Sequence, residues 1–271
     1  KAKKFFDVVT FSGNSVAGRA ISHGVDGAVG MVIIKRTDSA GNWAVWNVGA
    51  STSSFFLNST AAAYSAPQNM FGNGSSVVAP TSTAFTVGAN STVNASGGTY
   101  VAYVFASDAG GYGDDGTENI VKCGTYVGNG TTPGVVVATG FEPQFVLVKP
   151  STTAGPWSLI DNMRGWTADS AGDRWFEADT NGAEYTSAMM DLTATGFTTR
   201  ANFSSTNSNG QTYIYMAIRR PMKTPTSATE VFQALTYAGS GTFPDATDPV
   251  SGVATRTISS SLGFDVDMSM T

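Results

Sequence analysis

One cysteine, Cys123, and one histidine, His23, stand among 271 residues. A single thiol excludes an intrachain disulfide framework and a cysteine-based zinc site, and fits a reducing compartment of synthesis. A single imidazole excludes paired-histidine metal motifs. Charge is scarce as well: Asp, Glu, Lys and Arg make up 13% of the chain, about half the ~25% of an ordinary domain. Lys and Glu are the usual surface helix formers, so their scarcity argues against long helices. The net charge is −5. The basic groupings Lys1/Lys3/Lys4 and Arg219/Arg220/Lys223 are too small to grip nucleic acid or an anionic membrane. No apolar run approaches the ~18–20 residues of a membrane-spanning helix, and no signal-peptide pattern opens the sequence.

Glycine, serine, threonine and asparagine carry the polar surface instead, with 31 Gly and 11% aromatics. Low net charge with many aromatics is the opposite of a disordered composition. Short runs of β-branched and aromatic residues alternate with Gly/Asn/Ser/Thr clusters, the strand-and-turn signature. In the second half, strands are expected near 121–127, 134–138, 144–149, 157–161, 174–178, 197–202 and 212–219. One turn of helix is expected within Asp179–Met190. In Tyr213-Ile214-Tyr215-Met216-Ala217-Ile218 both faces are apolar, as in a strand covered on both sides.

The chain repeats itself. Thr10-Phe11-Ser12-Gly13-Asn14 returns as Thr125-Tyr126-Val127-Gly128-Asn129 and again as Thr236-Tyr237-Ala238-Gly239-Ser240, at offsets of 115 and 111 residues. Downstream, Met31-Val32-Ile33-Ile34-Lys35 and Trp43 to Asn47 answer Phe145-Val146-Leu147-Val148-Lys149 and Trp157 to Asn162. Gly98 to Phe105 answers Gly210 to Ile218. A domain-length period of this kind is the mark of a repeat architecture. The expected fold is all-β: tandem antiparallel β-sandwich repeats, jelly-roll or lectin-like. The expected divisions are an incoming linker at 1–7, one repeat at 8–107, a Gly/Asp linker at 108–120, a second repeat at 121–219, a Pro linker at 220–230, and the start of a truncated third repeat at 231–271. A start at Lys1 and a third copy cut at Thr271 lead to the expectation of a segment from a longer array.

Candidate chemistry is thin. His23 sits beside Gly24, and its counterpart in the second copy is Thr139, which suits a turn residue better than a catalytic base. Asp108, Asp114, Asp115 and Glu118 share a Gly-rich loop, but their spacing fits no calcium loop. Asp161, Asp169, Asp173, Glu177, Asp179 and Glu184 are candidate carboxylates for glycoside hydrolysis, with no spacing that singles out a pair. Cys123 lies in an apolar strand and reads as a small core residue. Asn58, Asn90 and Asn202 match the glycosylation pattern, as composition alone produces here. Trp166 and Trp175 flank a polar segment, where they stack on sugar rings, close the core or face another subunit. No catalytic, cofactor or metal site is assigned.

Several stretches together resemble a repeat domain of uncharacterised function found in bacteriophage tail and fibre proteins, notably those of marine phages. They are Lys4 to Phe11, Arg19 to Gly24, Gly30 to Arg36, Gly97 to Tyr103, Asp108 to Gly113, Gly140 to Gln144 and Ile218 to Lys223. The resemblance implies a non-enzymatic virion structural protein that contributes to host-surface attachment. Its implied partners are copies of itself, a trimer by analogy with fibres, and other virion proteins. Host glycan is a further implied partner; nucleic acid and membrane insertion are not. The implied location is the virion, after synthesis in the host cytoplasm. A carbohydrate-binding adhesin and a surface-polysaccharide depolymerase are the alternatives.

Overall fold

The computed structural model describes residues 4–113, 116–168, 172–200 and 203–220. The expected Pro linker beyond residue 220 and the third copy at 231–271 lie outside the described residues. Two compact units are distinguished, Lys1–Pro221 and Met222–Thr271, and all the described residues belong to the first.

Among the described residues the first half holds β1 (Phe6–Ser12), β2 (Arg19–Ser22), β3 (Val29–Arg36), β4 (Trp43–Asn47), β5 (Phe55–Phe56), β6 (Ala84–Val87) and β7 (Thr99–Ala106). The second holds β8 (Val121–Val127), β9 (Val136–Ala138), β10 (Pro143–Pro150), β11 (Ser158–Asp161), β12 (Arg174–Glu177), β13 (Tyr185–Thr186), β14 (Met190–Thr193), β15 (Gly196–Thr199) and β16 (Thr212–Arg219). The fold is all-β and antiparallel. A large sheet in the first half runs β1-β7-β3-β4-β5, and one in the second runs β13-β12-β11-β10-β16-β8. Smaller sheets, β2-β6 and β14-β15-β9, accompany them.

Side chains alternate across a strand, so each large sheet offers two faces. On β3, Val32 and Ile34 point into a core shared with Ile21, Phe85 and Val87 of the first small sheet. On β10 and β16, Val146, Val148, Tyr213 and Tyr215 do the same against Val137 and Phe197 of the second. The opposite faces meet each other: Met31, Ile33, Val45 and Phe55 pack with Cys123, Leu147, Trp157, Ile214 and Met216. The order of layers is therefore small sheet, large sheet, large sheet, small sheet. Central strands are buried on both sides, as expected for Tyr213 to Ile218. Loop 108–120, read from sequence as a linker, connects halves that share this third core.

One expectation needs correction. Asp179–Met190 forms turns and β13 rather than a turn of helix, because Tyr185 stacks flat on Trp175, ring centroids 4.3 Å apart. The described α-helix is α1 (Ser91–Asn94), with Asn90 capping its start by accepting from the Thr92 amide at 2.9 Å. No helix among the described residues is long and apolar enough to cross a membrane.

Candidate functional site

The residues that sequence reading singled out for chemistry are tied into the fold. His23 accepts from the Val25 amide through Nδ1 at 3.2 Å, and its Nε2 lies 3.3 Å from the Thr81 carbonyl. Burial lowers its pKa, the usual response of an imidazole leaving water. Asp108 pairs with Lys122 at 2.5 Å and Glu118 with Arg219 at 2.6 Å. Each is held by its own cation rather than aimed at a shared point; Asp114 and Asp115 lie outside the described residues. No group of three or more His, Cys, Asp or Glu side chains able to hold a metal occurs among the described residues.

The five described candidate carboxylates are dispersed in the same way. Asp161 pairs with Arg164 at 2.7 Å and Glu184 with Arg174 at 3.0 Å. Buried Asp173 accepts from the Thr167 amide at 3.1 Å, and Asp179 from the Trp157 amide at 2.9 Å. Glu177 accepts from the Tyr185 hydroxyl at 3.3 Å. Asp169 and Asn202 lie outside the described residues, while Asn58 holds the Trp43 amide at 2.9 Å. Trp166 and Trp175, at 2% and 5% exposure, offer no face to a sugar. Their indole N–H groups donate to the Met190 carbonyl and the Ser187 hydroxyl, both at 2.9 Å. Cys123 is buried, and desolvation pushes its thiol far above the ordinary range.

The chemistry that sequence reading missed lies at the seam between the large sheets. Lys149, at the end of β10, is fully buried. Its ammonium donates to the carbonyls of Ser59, at 3.3 Å, and Gly155, and lies 5.9 Å from the centre of the Trp157 ring. Desolvation draws its pKa down to about 8, with Asp179 pulling the other way. The first half clasps this hairpin with backbone oxygens. Trp157 Nε1 donates to the Phe56 carbonyl at 2.9 Å, and the Gly155 amide donates to the Thr60 carbonyl at 2.7 Å. Phe55 meets Trp157 edge to face at 6.3 Å. Asn47 donates through Nδ2 to the Tyr215 carbonyl at 3.2 Å. Two glycines allow the close approach: a Cβ on Gly49 would lie 2.2 Å from the Gly124 oxygen, and one on Gly30 would lie 2.8 Å from the Cys123 sulfur.

The first half has a matching hairpin. Lys35 donates to the Gly41 carbonyl at 3.0 Å and lies 5.9 Å from the Trp43 ring centre. The amides of Trp43 and Trp157 are each held at 2.9 Å, by Asn58 and Asp179. Lysine, then glycine six residues on, then tryptophan two further, is a spacing visible at 35/41/43 and 149/155/157. It could have flagged both hairpins, though not that one of them is covered.

The class defined by these sheets is an all-β chain whose halves are joined face to face through a buried lysine–tryptophan hairpin. The chain belongs to the family described as Domain of unknown function (DUF7483), whose profile matches residues 1–221. That span ends where the first compact unit ends. No curated protein matches the chain, and no solved structure does.

Proposed function

We infer that residues 8–107 and 121–219 are copies of one β-sandwich unit, and that the chain is a non-enzymatic structural component of a bacteriophage tail or fibre. The duplication is supported first by strand order: β1-β7-β3-β4 in one large sheet, β8-β16-β10-β11 in the other. Local bonding supports it further. Tyr100 donates to the Ser91 carbonyl at 2.8 Å and accepts from the Ala95 amide; Tyr213 donates to the Ser204 carbonyl at 2.9 Å and accepts from the Ser208 amide. Phe11 stacks on Tyr100 and Tyr126 on Tyr213, each at 5.2 Å. Buried Asn94 and Asn207 each accept from the amide of an asparagine in the opening turn, Asn14 or Asn129, at 2.9 and 3.0 Å.

The observation that carries the structural role is the seam. Its polar groups, among the described residues, converge on one another rather than on a point where a substrate could sit. A β unit that buries its spare face against the next copy is the construction principle of repeat proteins, where each unit contacts its neighbours. The sequence resemblance to phage tail and fibre repeats supplies the setting. The adhesin reading rested on exposed Trp166 and Trp175, and both are in the core.

Mass spectrometry of purified particles from the phage whose genome encodes the chain tests the assignment. The chain is expected in stoichiometric amount among the tail proteins. Its absence from particles that carry every other tail protein would overturn it.

A further inference from the structure

His23 opens a turn that gathers three parts of the first half. Its own amide donates to the Thr83 carbonyl at 2.9 Å, and the Gly24 amide donates to Asp7 Oδ2 at 2.6 Å. The Asp26 amide donates to the Lys4 carbonyl and the Lys4 amide donates back to Asp26 Oδ2, both at 2.8 Å. Between these contacts Val25 is buried in the first core, with Ile21 and Val29. The turn therefore ties the start of β1 to the segment that leads into β6. The Val25 amide is held by the imidazole itself, at Nδ1. A backbone N–H can only donate, so Nδ1 carries a lone pair and the ring proton sits on Nε2, facing the Thr81 carbonyl.

The same bond, from a side chain to the amide two residues on, is made elsewhere in the chain by groups that do not titrate. Asn14, Asn47, Asn73, Asn90 and Asn129 accept it through their amide oxygens at 2.8–3.0 Å. Thr139, the counterpart of His23, takes the Phe141 amide on its hydroxyl at 3.5 Å. At His23 the acceptor is a nitrogen that gains a proton in mild acid, and a protonated Nδ1 sets a donor against a donor. We propose that His23 is an acid-released latch: protonation of Nδ1 expels the Val25 amide and loosens the turn 23–26 that holds the start of β1. The ring is half-buried, so solvent protons reach it. The charged groups around it are Asp7 on β1, Lys4 ahead of that strand and Asp26 within the turn. Burial lowers the His23 pKa from 6.5, against the Thr81 carbonyl and Asp7, which favour the imidazolium. Folding thus favours the neutral ring; its contribution is complete above about pH 6.5 and is lost as the pH falls below that. Asp7 stays ionised there, since the Lys4 ammonium holds its carboxyl below the usual range.

Heteronuclear NMR of the full chain follows the His23 ring nitrogens and the hydrogen-exchange protection of the Val25 amide at about pH 7.5 and about pH 5. As the ring gains its proton, the Val25 protection factor is expected to fall about tenfold, the equivalent of one lost hydrogen bond. His23→Asn puts an amide oxygen at the acceptor position, as in the asparagine turns, and is expected to leave Val25 equally protected at both pH values. A wild-type ring that titrates with Val25 protection unchanged overturns the proposal, and so does a ring that takes up no proton by about pH 5. An equal loss of protection in His23→Asn overturns it too. The wild-type titration decides the question even where the variant does not fold. Each of these results leaves the particle assignment standing, because that depends on the chain's presence in the tail and not on this turn.

Discussion

At the scale of single residues, Lys149 is a charged group enclosed at the seam. Burying an ammonium is costly unless its protons are bonded, and here two carbonyls and an indole face take them up. The folded chain binds the Lys149 proton with a pKa of about 8, against 10.5 for the free side chain. Between those values the unfolded chain holds the proton more tightly, so folding stability from this group rises with pH across that window. The penalty is present in full below about pH 8 and gone above about 10.5. Melting curves of wild type and Lys149→Met at about pH 7.5 and about pH 10 isolate the effect. The wild type is expected to gain on the variant at the higher pH; parallel pH profiles would show that the ammonium is not desolvated.

At the scale of elements, the two lysine–glycine–tryptophan hairpins share a local design in different surroundings. Trp157 is buried between the sheets, while Trp43 stands at the open margin. Trp157→Ala is therefore expected to cost about 3–5 kcal/mol, the range for deleting a buried indole, and Trp43→Ala clearly less, as read from urea denaturation. Equal losses would mean that the seam is not what buries Trp157. Much of this level is legible in sequence. The ends of β8 and β16 fall where the apolar runs fall. The cover over a strand is not legible, because Tyr213 to Ile218 reads as doubly buried without naming the surface that buries it. Strands β13 and β14 escape notice because Tyr185-Thr186 and Met190 to Thr193 are too short to show a period. Trp166 and Trp175 read as ambiguous until Met190 and Ser187 are seen to take their N–H groups.

At the scale of the whole molecule, the shared core has a thermodynamic consequence. Sheets that bury a common face lose that burial together, so both large sheets should unfold in one calorimetric transition. Gly49→Ala probes this coupling from the seam, since its Cβ would collide with the Gly124 backbone. Overpacking of this kind costs about 1–3 kcal/mol, and the whole transition is expected to shift downward without splitting. Two resolved transitions, only one of them moved by Gly49→Ala, would describe independent domains on a tether. The sparse charge and the many Ser, Thr and Asn side chains suit lateral packing, where a buried unpaired charge would be penalised.

Electron cryo-microscopy of the phage particle proposed to carry this chain reaches the central claim most directly. A β unit doubled across a buried seam and used for construction predicts tail or fibre density in which both halves share one strand order and Lys149 lies under the Phe56–Thr60 segment. Density in which the halves fold differently, or a tail in which the chain has no place, would contradict it.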